Sequence, residues 1–349
     1  MASDAAIPLS WFQYDLPDAL IAQAPAEPAD SSRLMRVDRG TGEVEHRAFL
    51  DLPRLLEPGD LIVVNRTRVI PARVRAIRPT GGKVELLFHR PLDGSVLDAS
   101  AWSVMGRPGK ALKPGATVSV GDWELEVTER EGMFAHIRAQ GPLWPLLEER
   151  GELPLPPYIN RPEGPVESDE TQYQSLFARE LGAVAAPTAS LHFTPRVVDA
   201  LAERGVETAE LVLHVGPGTF LPVRPENASD VREHQMHTES FVIPEPTLTA
   251  IERTKTRGGR VIAIGTTAAR ALETWGKTGR QSGESDLFVY PGYSFSVVDG
   301  MVTNFHLPGS TLLMLVSAMA GLDPIRRAYA MAIEEHYRFF SYGDAMLIL

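Results

Sequence analysis

From Val84 to Ala139 the chain offers no helical period of any length, only short runs of strand character broken by turn residues. The runs are Val84–Phe88, Trp102–Met105, Thr117–Val120, Trp123–Thr128 and Phe134–Ala139. Short strands at that spacing, most of them separated by glycine or proline, predict a small sandwich or barrel. The flanks have another texture. From about Asp15 to Val64 the chain is punctuated by prolines and ends in Leu61-Ile62-Val63-Val64, an apolar run that reads as a buried strand. After Gly141 helices return. Thr194-Pro195 opens a helix over Arg196–Arg204 that Gly205 closes, and a strand follows at Ala209–Val215. A helix near Glu245–Lys255, a strand at Arg260–Ile264 and a helix from about Thr267 continue the alternation. Ser310 caps an apolar helix through Met319, and Asp323-Pro324 opens one that runs to about His336. Such alternation implies a layered, mainly parallel α/β body.

A chain of 349 residues is past the size at which one core keeps growing, so two domains are expected. The division is residues 1–65 with 151–349 as the α/β body and residues 66–150 as the β-rich module. The residues alone leave open whether that module is inserted into the body or separates two domains. Zero cysteines exclude disulfide scaffolds, zinc ribbons, iron–sulfur clusters and thiol catalysis. No basic and apolar leader is visible at the N-terminus, and the longest nearly apolar run, Leu312 to Leu322, is too short to span a bilayer. The expectation is a soluble cytoplasmic protein with no membrane partner.

A net charge of −11 speaks against a nucleic-acid partner, but it is unevenly spread. Asn65 to Lys83 carries six basic residues (Arg66, Arg68, Arg73, Arg75, Arg78, Lys83) and no acid. The 34 basic residues less those six leave 28 against 45 acidic ones, a net of −17 elsewhere. The stretch is either a docking patch for a polyanion or a set of solvated strand faces.

Four groups of residues can carry chemistry. Arg260–Ile264 leads through Gly265 to the hydroxyls of Thr266 and Thr267, with Arg270 one turn on. A strand, a tight turn and a helix N-terminus suit an anion, although Thr267 acting as a plain cap fits equally well. Gly106-Arg-Pro-Gly109-Lys110-Ala111 has the wrong spacing for a phosphate loop. His234-Gln-Met-His237-Thr-Glu239 is the second group. In an extended stretch His237 and Glu239 share a face, which makes a candidate acid–base pair, and its spacing matches no standard metal site. Third come His192, His214 and His306, each at the end of an apolar run and beside Gly, Pro or Asn. Together they suggest a polar, metal-free pocket at the strand ends of an α/β sheet. The fourth is the aromatic tail Tyr337–Met346, where Asp344 either enters the pocket or closes the Gly343-Asp344 turn.

These segments together resemble the S-adenosylmethionine:tRNA ribosyltransferase-isomerases of queuosine biosynthesis. The likeness runs from Tyr14-Asp15-Leu16-Pro17 through Asp30-Ser31-Ser32-Arg33-Leu34 and Thr67–Arg73 to Phe339–Met346. Between them lie Ala185-Ala186-Pro187-Thr188, Leu191-His192-Phe193-Thr194, His214-Val215-Gly216, Gly218-Thr219-Phe220, Gly265-Thr266-Thr267 and Asn304–Pro308. The resemblance implies an α/β domain with a small antiparallel β-barrel inserted near the first third. It also implies transfer and isomerisation of the ribosyl group of S-adenosylmethionine, a co-substrate and not a resident cofactor. The acceptor it implies is the 7-aminomethyl-7-deazaguanine of a tRNA anticodon, giving epoxyqueuosine and releasing adenine and methionine.

That chemistry needs a base for the ribose carbon beside the sulfonium and an acid for the departing adenine. The candidates are His237, Glu239, His192, His214, His306 and Asp344. Substrate contacts are expected at Pro187, Thr188, Phe193, Gly216, Gly218, Thr219, Phe220, Gly265, Thr266, Thr267, Arg270, Asn304 and Phe305, with Phe193, Phe220 or Phe305 stacking a splayed base. Arg33, Arg66, Arg68, Arg73 and Arg75 are the expected grip on tRNA, and a monomer is expected. Ala29, Arg66, Ser190 and Ala268 depart from the family's pattern. Two other readings stay open: a paralogue with a small-molecule acceptor, and a non-catalytic RNA-binding protein.

Overall fold

The structure, a computed structural model, describes residues 6–108, 112–220 and 229–349, with the side chains of Thr219 and Phe220 outside the description. Gly109, Lys110 and Ala111 of the loop-like Gly106 segment lie outside the described residues. The body is a nine-stranded sheet. Its centre is four parallel neighbours in the order Glu207–Leu213, Leu61–Asn65, Val261–Ile264 and Gly300–Asn304. Antiparallel strands extend it on both sides, so the sheet is mixed, with its parallel part in the middle. The tail strand Ala345–Ile348 slots between Gly300–Asn304 and Arg33–Val37, which buries the aromatic C-terminus that the sequence marks as packed.

The run Leu61–Asn65 is buried along its whole length because both faces of the sheet are covered. Leu61 and Val63 face the core formed with helices Thr266–Thr278, Thr311–Ala320 and Leu322–Glu334. Ile62 and Val64 face the opposite core with Val197 and Leu201 of helix Pro195–Glu203. Alternate residues of one apolar run thus feed two layers, as the period of two requires.

The second unit is a closed barrel of six strands, Arg73–Ile77, Lys83–Pro91, Ala101–Arg107, Thr117–Val120, Trp123–Glu131 and Phe134–Arg138. All its pairings are antiparallel. Its own core includes Val74, Phe88, Trp102, Val104, Leu125 and Ile137, and helix Trp144–Arg150 adds Leu146 and Leu147. The chain leaves the body at the C-terminal end of Leu61–Asn65, builds the barrel, and returns through Glu180–Ala183, which pairs in parallel with Thr67–Val69. The barrel therefore hangs at the end of the sheet where the parallel strands terminate.

Asn65 pins that exit. Its side-chain N–H donates to Leu213 O (2.8 Å) and Thr267 Oγ1 (3.3 Å), and its oxygen accepts from Leu213 N and Thr67 N, both at 3.1 Å. The residue is fully buried, so each bond replaces one that water would have made. Asn65→Ala would strand the Leu213 and Thr67 backbone groups. A loss of about 2–4 kcal/mol in urea unfolding is expected, and a loss below about 1 kcal/mol would remove the pin from this description.

Candidate functional site

Beyond the C-terminal ends of the central strands lies a crevice of about 80 Å³, where an open α/β sheet places ligands. Its walls come from four strand ends and the tail, among them Pro187, Thr188, Val215, Thr267, His306 and Ser341. Gly265 ends Val261–Ile264 at φ 91° and is the N-cap of helix Thr266–Thr278, a turn that an L side chain would strain. Thr267 does not cap that helix through its side chain; its hydroxyl accepts from Asn65 instead.

Arg270 reaches this crevice from one turn inside the helix and is 4% exposed. Its Nε donates to Leu287 O (3.1 Å) and its Nη1 to Glu239 Oε2, while its Nη2 is buried without a partner among the described residues. The other oxygen of Glu239 accepts from Gly216 N at 2.9 Å. The expected His237–Glu239 pair is therefore not formed: both oxygens of Glu239 are taken by Arg270 and Gly216. His237 instead packs edge-on to Phe134 of the barrel, ring centroids 6.3 Å apart. Sequence spacing put the two residues on one face; a partner 31 positions away claimed the carboxylate.

The three histidines do not share one pocket. His306 lines the crevice, with Nε2 on Thr303 Oγ1 at 2.7 Å. His192 lies behind it, stacked on Phe49 at 4.9 Å, with Nδ1 on Ser32 Oγ (2.7 Å) and Nε2 on Asn304 Nδ2 (3.2 Å). His214 opens instead into a wider cleft of about 490 Å³ between body and barrel, its Nδ1 on Thr67 Oγ1 at 2.8 Å. There it meets His89, a barrel residue that the sequence reading missed. His89 stacks on Phe134 at 4.9 Å, its Nδ1 has no partner among the described residues, and a Cβ at Gly216 would approach its Nε2 to 2.9 Å. Only alternation along Lys83–Pro91 sets its direction, a signal shared by every strand residue. Asn65 and Ser32 were equally silent, although Asn65 stands at the end of an apolar run where such sheets gather ligand residues.

Asp344 closes the tail turn: its oxygens accept from Arg33 N (2.9 Å) and Arg338 N (2.8 Å), and it does not line the crevice. Phe193 is buried against Phe49 and Phe177, and Phe305 against Tyr329, Tyr337 and Phe339, so neither presents a free face to a base. Phe305 still lines the crevice, as does Asn304. Gly218 lies against His237, whose ring a Cβ would meet at 2.8 Å. Ser190, where the family pattern has glycine, sits in a 3₁₀ turn without positive φ, so its backbone is unstrained, while its buried hydroxyl has no partner among the described residues. Ala268 is fully buried in the body core.

The basic stretch is partly neutralised. Arg66 faces Glu180 (3.8 Å) and Glu210 (3.7 Å), Arg73 faces Glu85 (3.9 Å), and Arg75 faces Glu152 (3.1 Å). Arg33 lies over the Tyr337 ring at 3.6 Å. Arg68 is exposed and has no ion pair among the described residues. Among the described residues no group of three metal-ligating side chains gathers, and no helix is long and apolar enough to cross a membrane.

Burial disfavours the charged imidazole, so it lowers the histidine pKa values. It pushes His192 and His306 down to about 3, with the Arg338 charge assisting at His192. His89 is lowered to about 4 by burial and then by Arg90 and His237, and burial lowers His214 too. Below pH ~6.5 the unfolded chain takes up protons at these rings that the folded chain refuses. Stability is thus whole above that pH and is lost as pH falls toward 4, each ring contributing up to about 1.4 kcal/mol per pH unit. Denaturant titrations at pH 7, 6 and 5 should show the decline, and a flat profile would contradict it.

The chain matches the family described as "Queuosine biosynthesis protein" over residues 9–348. It is 49% identical over 337 residues to an S-adenosylmethionine:tRNA ribosyltransferase-isomerase of Rubrobacter xylanophilus, covering 96% of each chain. A protein of the same name from Azoarcus is 50% identical over 344 residues, covering 97% of this chain and 96% of its own. The crystal structure of an S-adenosylmethionine tRNA ribosyltransferase from Thermotoga maritima superposes with TM-score 0.56 at 37% identity, covering 97% of this chain and all of that one.

Proposed function

The chain belongs to the S-adenosylmethionine:tRNA ribosyltransferase-isomerase family of queuosine biosynthesis, and from that premise we propose the following reading of its substrates and site. The enzyme moves the ribosyl group of S-adenosylmethionine onto the aminomethyl nitrogen of 7-aminomethyl-7-deazaguanine at the tRNA wobble position. It isomerises the ribose and releases adenine and methionine, leaving epoxyqueuosine in the tRNA. This chemistry calls for no resident cofactor. The protein works as a monomer in the cytoplasm, residues 66–150 forming the inserted module and the remaining residues the catalytic body.

The observation that carries the site assignment is the buried guanidinium of Arg270, with two nitrogens engaged and Nη2 unpartnered beside a helix N-terminus. Such a group takes a carboxylate, which S-adenosylmethionine supplies. The carboxylates of Glu239 and Asp344 are committed to Arg270, Gly216, Arg33 and Arg338, so proton transfer falls to imidazoles. His306 and His214 each have one ring nitrogen in a hydrogen bond, Nε2 and Nδ1 respectively, and the other ring nitrogen is left for substrate. Both rings stay neutral at pH 7, the form in which an imidazole removes a proton from the acidified ribose carbon. The wider cleft at His214 and His89, between barrel and body, is the place for the tRNA base. His237 and Glu239 then support the site and leave the proton to others.

The direct test incubates the protein with S-adenosylmethionine and tRNA carrying the aminomethyl base, then measures adenine and digests the tRNA for epoxyqueuosine. Both should appear; absence of both overturns the reading. Arg270→Lys keeps a cation for Glu239 but lacks the fork. The KM for S-adenosylmethionine should rise roughly tenfold or more at unchanged KM for tRNA, and an unchanged KM would move the carboxylate elsewhere. Arg68→Ala should weaken tRNA binding and lower the salt slope by about 1. Arg75→Ala, already matched by Glu152, should do less, and equal effects would contradict the view that pairing decides the grip.

A further inference from the structure

Among the residues lining the crevice, Arg270 Nη2, a donor, and Asn304 Oδ1, an acceptor, are buried with no partner among the described residues, as is the Tyr173 hydroxyl. Asn304 is 2% exposed and Arg270 is 4% exposed, so neither atom has bulk water to fall back on. They stand at the ends of neighbouring strands. Val261–Ile264 and Gly300–Asn304 pair in parallel with Ile264 beside Val302. The strands themselves run about 4.8 Å apart, Asn304 lies two residues beyond the level of Ile264, and Arg270 sits one turn into the helix that follows Ile264. The crevice is narrow at this point, about 80 Å³, and has room for a small polar group between the two residues.

The orientation of Asn304 is enforced. Its Nδ2 donates to Phe340 O at 3.1 Å, and a carbonyl can only accept, which identifies the nitrogen. The same nitrogen meets His192 Nε2 at 3.2 Å, so that ring atom must accept. The His192 proton therefore sits on Nδ1 and points at Ser32 Oγ, 2.7 Å away. A neutral ring is required, and burial keeps it neutral at ordinary pH. The His192 relay and the Phe340 carbonyl together take the two donors of the amide, and its oxygen has no partner among the described residues. Phe49, stacked on the ring at 4.9 Å, fixes the plane of His192.

We infer that Asn304 is the recognition residue for the α-ammonium group of S-adenosylmethionine, held with Oδ1 outward by the Ser32–His192 relay, while Arg270 Nη2 takes the carboxylate on the same carbon. The inference rests on the proposed function and adds to it. It makes His192 a positioning residue, not a catalytic one, and it gives the crevice specificity for an intact α-amino acid end. A substrate lacking the ammonium leaves the buried oxygen unpaired and is rejected for that reason.

The test is calorimetric binding of S-adenosylmethionine and of its analogue with hydrogen in place of the α-amino group. The parent protein should bind S-adenosylmethionine roughly ten- to hundredfold more tightly. Asn304→Ala should lose that factor for S-adenosylmethionine and bind the analogue as the parent does. His192→Phe, which keeps the stack on Phe49, should shift the ratio the same way. Ser32→Ala removes one hydroxyl and guards against misfolding of the ring variant; it should lower the ratio several-fold, with melting curves confirming the fold. Equal binding of both ligands by the parent, or equal loss of both in Asn304→Ala, overturns the inference while leaving the function standing. Failure of the parent to bind S-adenosylmethionine at all overturns the function itself and the inference with it.

Discussion

The buried pair of Arg270 and Glu239 holds the working end of this protein in shape. Neither residue is more than 6% exposed, so either charge without the other would sit uncompensated in the interior, at a cost of several kcal/mol. Pairing also sets the geometry. Glu239 begins strand Glu239–Val242, its second oxygen takes the Gly216 N–H, and Arg270 reaches on to the Leu287 carbonyl. A strand, a loop, a helix and the Leu287 segment thus share one electrostatic knot. Because the guanidinium is planar and two of its nitrogens are used within the protein, the third is left unpaired beside the helix N-terminus that lines the crevice.

Around that knot the sheet acts as a delivery device. Parallel strands end together, so His214, Gly265 and Asn304, remote in sequence, arrive at one edge. Asn65 keeps two of those ends in register at the point where the chain departs to build the barrel. The barrel then closes one side with His89 and Phe134, and the glycine at 216 allows that approach. Two unequal spaces result. The narrow one has buried polar atoms of opposite sign, and the wide one has imidazoles at a seam between units. The amino-acid end of S-adenosylmethionine is proposed for the narrow space and the tRNA base for the wide one.

Much of this was legible from residue order. The buried run Leu61–Val64, five of the six barrel strands and the helices opened by Thr194-Pro195 and Ser310 all announced themselves through apolar period and turn residues. The sixth barrel strand, Arg73–Ile77, was legible only as one of two readings of the basic stretch, solvated strand faces or a docking patch, because Arg73 and Arg75 occupy alternate positions whose partners Glu85 and Glu152 are set by the fold. The mixed edges of the sheet escaped too, since a four-residue strand such as Ala345–Ile348 carries no period of its own. At the site, motif positions were found but partnerships were not. Glu239 beside His237 in sequence belongs in space to Arg270, and His192 and His214 point into different spaces. Local spacing governs which face a side chain takes; topology governs what it meets there.

The most direct measurement is an experimental structure of the protein with S-adenosylmethionine bound. The expected result places the methionine carboxylate within hydrogen-bond reach of Arg270 Nη2 and the ammonium on Asn304 Oδ1, with the sulfonium pointing out of the crevice. An amino-acid end seated instead beside His89 and His214, with Arg270 and Asn304 untouched, would contradict the central claim.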